Sequence, residues 1–473
     1  MASPNVSFDT LPASIRKPGK YIEFNTRLAV RTLPANTQRV LIVAQSTAQG
    51  AQPAGQPVAV FSDDEARILF GTGSIAHAMV KAAIVSNPYL QIDVLPVADD
   101  AAGIAASGTV TVTGTAASAG VVSLAVADSS VRIAVAKGDA AAAVAAALAA
   151  AVNARAELPV TATAQTGTVT LTARNKGTLG NRIPLALSET ADGVAAEIAA
   201  MSGGQADPDI TAALAAVFGG GHHIIVSPYT DQENLTALRT HLDAVSHALE
   251  QRGAIGVCGL TGTLAQATTL AGQINSGRIT MALLPGTEST SWQVAAAYAA
   301  QIAGEEDPAR PLNTLPLTGI VAPPVPRRLS RMEQETALHN GITPLEVAPG
   351  EIVRIVRSVS TYTLDPQGID DIALLDVTTI RTLDYVRKAV RERISLRFPR
   401  EKLSARTAPK VRSEILDVLV KMEELEIVEE VEANKSGVIV ERDSQDPNRL
   451  NAKIPVDVVN GLHVFAGRID LLL

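Results

Sequence analysis

The sequence predicts an α/β protein: a mostly parallel sheet covered by helices on both faces, with a β-rich insertion and an α+β C-terminal domain. Three observations predict this. Short apolar runs such as "QRVLIVAQS" (38–46), "AIGVCGL" (254–260) and "RITMALLPG" (278–286) alternate with amphipathic stretches, as buried parallel strands alternate with their crossover helices. From 101 to 205 the chain turns to Thr/Val alternation with Gly turns, and no aromatic residue occurs between Tyr89 and Phe218. Near the C-terminus, charge separates by sign: residues 381–412 hold eleven Lys/Arg against three Asp/Glu, and residues 413–432 hold eight Asp/Glu against one Lys.

The elements follow in order. Residues 1–27 are punctuated by Pro4, Pro12 and Pro18 and end in "KYIEFNTRLA", where Tyr21, Glu23 and Asn25 alternate with Ile22 and Phe24. Composition leaves an extended arm and a first strand of the next domain both open. Residues 28–100 begin the core. In "SDDEARILFG", Ser62 with Glu65 three residues on forms a capping box pattern, "SIAHAMVKAAIVSN" continues helically, and "YLQIDVLPV" reads as a strand. In the 101–205 insertion, "GTVTVTGTA" (108–116) and "GTVTLTARN" (167–175) echo one another around an Ala-rich helix with Asp139 near its start.

The core resumes over 206–348. "DQENLTALRTHLDAVSHALEQRG" reads as an amphipathic helix with Leu235, Leu238, Leu242, Val245 and Leu249 on its apolar face. "TLAQATTLAGQINSG" and "SWQVAAAYAAQIAGE" read as further helices separated by strands. The C-terminal domain spans 349–453. Its "RTLDYVRKAVRERISLRF" places Leu383, Val386, Val390 and Ile394 on one stripe, with Arg387, Lys388 and Arg391 beside or opposite it. The tail 454–473 ends in "LHVFAGRIDLLL", an apolar strand-like segment of the kind soluble proteins cover or charge.

Composition excludes several classes of function. The length of 473 residues allows roughly two to four domains with real cores. Hydrophobic residues make up 47% and aromatics 3%, so Ala, Val, Leu and Ile fill those cores. A net charge of −8 argues against general binding to nucleic acid or an acidic membrane. One cysteine, Cys258, excludes a disulfide framework and Cys-based zinc clusters, and fits a reducing compartment. No signal peptide is expected from "MASPNVSFDT", and the longest aliphatic run (140–152) is too short to span a bilayer.

No catalytic set emerges. GxSxG, GxxxxGK[ST] and HExxH are absent, and "FGTGSIAHA" (70–78) lacks the third glycine of a dinucleotide loop. Adjacent His222 and His223 would point to opposite faces of a strand, and His241 and His247 do not share a helix face well. Asp231 reads as a helix cap, Asp370 and Asp371 as a surface loop, and Cys258 as a buried, inert thiol. No cofactor or metal is expected. The basic helix has three readings: a solvated face, a nucleic-acid contact disfavoured by charge and by Tyr385 as its lone aromatic, or a dock for an acidic protein.

"PGKYIEFNT", "IIVSPYTDQENLTALRTHL", "AAAYAAQIAGEEDPARPLNTLPLTGIVAPP" and "TTIRTLDYVRKAVRERISLRFPREKL", in this order and spacing, resemble the contractile tail sheath proteins of phages, in particular the Mu-like branch. The resemblance covers nearly all of the chain outside 101–205. It implies a non-enzymatic subunit whose α/β core is subtilisin-like in fold only, with an outward-facing inserted domain and a C-terminal domain facing the tail tube. It also implies linking arms at 1–27 and 454–473 that join sheets in adjacent subunits, through Tyr21, Ile22, Phe24, Leu462, Val464, Phe465, Ile469 and Leu471. The basic helix occupies the place of the tube-attachment helix, so Arg387, Lys388 and Arg391 are the expected tube contacts. The implied partners are further sheath subunits in a helical polymer, the tail tube protein, and baseplate and tail terminator proteins. The implied location is a virion tail assembled in the host bacterial cytoplasm. Two competing readings are a hydrolase-type α/β enzyme with an unfamiliar site, and a surface adhesin that would require export.

Overall fold

A computed structural model describes residues 15–22 and 33–471. In chain order the core begins with β1 (Arg39–Gln45), β2 (Val58–Val60), α1 (Asp63–Phe70), α2 (Ile75–Ser86) and β3 (Gln91–Val97). The insertion follows as β4 (Ser107–Gly114), β5 (Gly120–Val126), β6 (Ser129–Val135), α3 (Ala141–Ala154), β7 (Val160–Gln165), β8 (Thr168–Ala173), β9 (Leu185–Glu189) and β10 (Val194–Ser202). The core returns with α4 (Thr211–Ala216), β11 (Ile224–Val226), α5 (Gln232–Ser246), β12 (Ile255–Leu260), α6 (Leu264–Ile274), β13 (Ile279–Leu283), α7 (Ser291–Gly304), α8 (Arg331–His339), β14 (Thr343–Ala348) and β15 (Ile352–Ile355). The C-terminal domain holds α9 (Val377–Arg397), α10 (Thr407–Glu424), β16 (Val428–Glu429), α11 (Val431–Asn434), β17 (Ile439–Arg442), β18 (Leu450–Lys453) and β19 (Asp457–Val458).

The core sheet runs β15-β14-β13-β12-β11-β1-β3-β2, parallel from β14 to β3 and antiparallel at both edges. Its central strands are buried along their length, as a doubly covered parallel sheet requires. Helix α7 lies almost wholly in the core, and its run of alanines lets it approach β12 closely. Gly259 on β12 is what admits it: a Cβ there would lie 2.2 Å from the Ser291 carbonyl oxygen. The Tyr298 hydroxyl, buried on α7, is satisfied by Ser358 Oγ at 2.6 Å and Thr280 Oγ1 at 2.9 Å.

In the insertion a four-stranded sheet (β10-β4-β8-β7) and a three-stranded sheet (β6-β5-β9) pack with α3. The two echoing sequence segments are antiparallel neighbours, β4 and β8, with Val110 opposite Val169. In the C-terminal domain α9 and α10 bury a separate small core around Tyr385, Val386, Ala389, Ile415, Leu419 and Met422. The segregated charges meet along this helix pair. Buried Arg393 of α9 bonds Asp417 of α10 at 2.6 Å and Glu414 at 3.1 Å.

Local signals held in part. Ser62 accepts the Glu65 N–H, but the Glu65 carboxylate reaches back to the Phe61 N–H rather than to Ser62. Asp231 caps α5 through the Asn234 N–H at 2.8 Å. Helix α5 stops at Ser246, because His247 turns to an extended conformation, so Leu249 lies beyond the apolar stripe and is exposed. Asp139 accepts the Ala136 N–H in the preceding turn instead of capping α3. Leu383 sits at the edge of its stripe, and the buried line of α9 runs through Thr382, Tyr385, Val386, Ala389 and Arg393.

Candidate functional site

An open α/β sheet presents its natural ligand crevice beyond the carboxyl ends of its strands, where the strand order reverses. Here that position is beside β1, and the insertion fills it. Asn175 donates to the Ser46 carbonyl at 3.0 Å and to Asp99, while Gln45 donates to Asp99 at 2.7 Å and to the Lys176 carbonyl at 2.8 Å. Arg182 reaches Thr230, just past β11, at 2.7 Å. Tyr229 is fully buried beneath, and burial pushes its phenol well above its ordinary pKa. Cys258 is buried on β12, where burial lifts the thiol to about 12. Among the described residues no cluster of His, Cys, Asp or Glu could hold a metal ion, and no helix is long and apolar enough to cross a membrane.

The termini present the opposite situation. Past β19 and the Val459 N–H, the C-terminal tail pairs with no strand of its own chain among the described residues. Leu462, Val464, Phe465, Ile469 and Leu471 are all exposed, Ile469 completely so. His463 is the tail's tether: its ring meets the Asn313 side-chain amide at 3.0 Å and Asp376 at 3.6 Å. At the other end Ile22 is exposed and the Tyr21 hydroxyl bonds the Lys17 carbonyl, while Phe24 lies outside the described residues.

Two features of the C-terminal domain could receive such segments. The antiparallel hairpin β17–β18 and the short β16–β19 pair are two-stranded sheets, so each keeps unpaired edges. Behind the hairpin, Ile394, Phe398, Val411, Ile415, Val440 and Leu450 line an apolar groove of about 320 Å³. The sequence offered no signal for this groove, because its walls come from three separated segments.

The three cations expected at the tube lie together at a seam between α9 and the core. Arg387 donates to the Ser246 carbonyl at 2.7 Å and to Asp384 at 2.6 Å. Lys388 donates to the Ala35 carbonyl at 2.8 Å, and Arg391 to the Gln251 carbonyl at 3.2 Å. Asp384 itself holds Arg278 in a two-pronged contact at 2.7 and 3.1 Å. Gly253 makes this approach possible, since a Cβ there would come within 2.2 Å of the Asp384 carboxyl carbon. His222 and His223 immediately precede β11 and both border this seam. They have separate partners: His222 bonds Asp93 at 2.9 Å, and the His223 ring accepts the Arg39 N–H at 3.2 Å. Burial, with Lys388 and Arg39 nearby, lowers His223 to about 4.

An α/β body with its crevice filled, and with an extended apolar tail left uncovered, fits a structural assembly subunit. The sequence pattern of the phage tail sheath protein central domain matches residues 203–361, and that of the phage tail sheath C-terminal domain matches residues 370–471. A Mu-like prophage FluMu tail sheath protein of Haemophilus influenzae is 34% identical over 487 residues, covering 99% of this chain and 100% of that one. The chain belongs to the phage tail sheath family, as a Mu-like structural subunit of a contractile tail sheath. Among solved structures, a sheath tail protein from Desulfitobacterium hafniense shares the fold with a TM-score of 0.53 at 14% identity, covering 94% of this chain and 97% of that one. The sheath of an extracellular contractile injection system, in its contracted state, aligns with a TM-score of 0.50 at 10% identity, covering 97% of this chain and 98% of that one.

Proposed function

We propose that this chain polymerises helically around a tail tube through its termini, and that the polymer shortens on triggering to drive the tube through a host envelope. One observation carries the reading: five large apolar side chains on an extended tail without a strand partner, in a chain that also has open sheet edges beside an apolar groove. Seating the tail of one subunit on the β17–β18 edge of the next would pair its backbone and bury alternate side chains in the groove. Such a contact joins two different surfaces, so it propagates as a helix rather than closing a dimer. The N-terminal segment around Tyr21 and Ile22 would add a second link. Contraction then draws on the difference between two packings of the same subunits, with no nucleotide or cofactor required. The filled crevice supports a role without catalysis. Baseplate and terminator contacts would cap the polymer at its ends, and assembly would take place in the host cytoplasm.

Tube attachment is proposed for the basic face of the C-terminal domain in a narrower form. Arg387 and Lys388 dock α9 on its own core, while the more exposed Arg391 keeps N–H groups for a partner. Arg400, Lys402 and Arg406, exposed in the segment after α9, make no ion pair among the described residues and are further candidates for the same contact. The test is electron microscopy of the purified chain with and without residues 462–473. Hollow helical tubes from the full chain and none from the truncated one are expected. Tubes of unchanged order from the truncated chain would refute the arm-mediated linkage.

A further inference from the structure

We propose that the seam between α9 and the core is a binding site for a small inorganic oxyanion of the phosphate class. The seam encloses a cavity of about 230 Å³. Arg252, Arg381, Lys388 and Arg391 line it, together with His222 and His223. The one carboxylate lining it among the described residues, Asp384, is already engaged by Arg278 and Arg387, neither of which borders the cavity. Arg252 is paired with Glu250, which leaves Arg381, Lys388 and Arg391 as the wall cations without a carboxylate partner among the described residues.

The buried one of these is Arg381. Only 7% of it is exposed, and its Nη2 donates to the Glu305 carbonyl at 2.5 Å. Its Nη1 is buried and finds no acceptor among the described residues. A guanidinium left short of acceptors inside a protein is costly, and burial lowers Arg381 to about 10 despite Glu305 and Asp307 nearby. Nη1 itself has no surface open to the cavity, so the donors that reach this space are those of the more accessible side chains. Lys388 has one of its three N–H groups on Ala35, and Arg391 uses Nη1 on Gln251. His223 accepts at Nδ1 from Arg39, so its neutral ring carries the proton on Nε2. A tetrahedral oxyanion offers several acceptors at once and takes charge-assisted bonds from guanidinium and ammonium groups. A cation is repelled here, and a neutral ligand leaves the excess charge standing. Because the walls come from both α9 and the core, a bound anion would fasten the C-terminal domain to the body of its own subunit. The proposal rests on no part of the polymerisation reading.

The experiment is thermal unfolding of the full chain at neutral pH in rising sodium phosphate, with sodium chloride at matched ionic strength as control and sodium sulfate as a third arm. Expected is a saturable rise in Tm with phosphate, as for any ligand that binds only the native state. Sulfate should reproduce it and chloride should not. A phosphate response without a sulfate response would narrow the site to a ligand that can also donate a hydrogen bond. In the Lys388→Met/Arg391→Gln double variant the half-saturating phosphate concentration should rise about tenfold or more. General exclusion of phosphate from protein surface would give an unsaturating rise that the double variant keeps. That result, or equal responses to phosphate and chloride, overturns the site. Arg381→Met probes the buried end of the cavity. If that variant fails to fold, the double variant, which alters only the more accessible groups, still decides.

Discussion

Inside the core, the Tyr298 hydroxyl is held by Ser358 and Thr280 and the side chain is fully buried; in the tail, Phe465 and Ile469 stand in solvent beside a backbone that no strand pairs. The same chain thus closes its bonding potential in one region and leaves it open in another. Exposed apolar surface of this kind is what a partner molecule would cover. The two regions should therefore fail in different assays. Deleting 462–473 is expected to abolish tube formation completely while leaving the Tm of the dispersed subunit nearly unchanged. A large loss of Tm on deletion would mean the tail packs on its own subunit, and the contrast would collapse.

Trp292→Ala is the converse test. Trp292 is 1% exposed on α7. Truncation of a buried aromatic costs about 3–5 kcal/mol, from lost burial and the cavity left behind. Urea unfolding should show that loss, and any variant that remains folded should still polymerise. Between these extremes lies the seam. Asp384→Ala removes the carboxylate shared by Arg278 and Arg387 and leaves two partly buried guanidinium groups without it. The expected cost is about 1–3 kcal/mol, concentrated in faster hydrogen exchange of α9 while β12 stays protected. Uniform loss across both would show that core and C-terminal domain unfold as one unit.

The contrast also explains what was legible in the sequence. Strand–helix alternation, the Asp231 cap and the buried environment of Cys258 are set by neighbours within a few residues, and each emerged from local pattern. The charge blocks in 381–432 were visible, but their destination was not. Arg393 turned inward to Asp417 and Glu414, and Arg387 and Lys388 bonded carbonyls 141 and 353 positions away. A helical wheel orders the residues of one helix and does not say which side of that helix a distant segment will cover. The same limit hid Asn175, whose hydrogen bonds close the crevice from a domain inserted between β3 and α4. Leu249 shows a smaller failure: apolar spacing continued past the point where the backbone at His247 ended the helix.

Acid should act on the core side of the comparison. His223 and His241 are both lowered to about 4, chiefly by burial, from an ordinary value near 6.5. Phe218 packs edge-on against His241, and Lys388 and Arg39 lie near His223. Between those values the unfolded chain binds the protons that the native chain refuses, so stability falls as pH drops from about 6.5 towards 4. Each group contributes up to about 1.4 kcal/mol per pH unit in that window. Urea unfolding at several pH values should show this slope, and His241→Phe should reduce it. An unchanged slope in that variant would place the acid sensitivity elsewhere, including in the carboxylates that titrate near the lower end of the window.

The smallest expected effect is a reaction that does not occur. Cys258 is fully buried on β12 and its thiol is pushed up to about 12, first by burial and then by Asp231. Thiolate is the reactive species, so both access and ionisation protect it. A thiol reagent should leave the native chain unmodified until β12 opens, and the rate should follow the free energy of that opening. In the Val464→Cys variant the new thiol sits on the exposed tail and should react at once in the dispersed subunit. Assembly should then protect position 464 while leaving the rate at Cys258 unaltered. A tail thiol that stays fully reactive in assembled tubes would remove the tail from the subunit interface, and rapid labelling of Cys258 in the dispersed subunit would show that the core is no more closed than the arm.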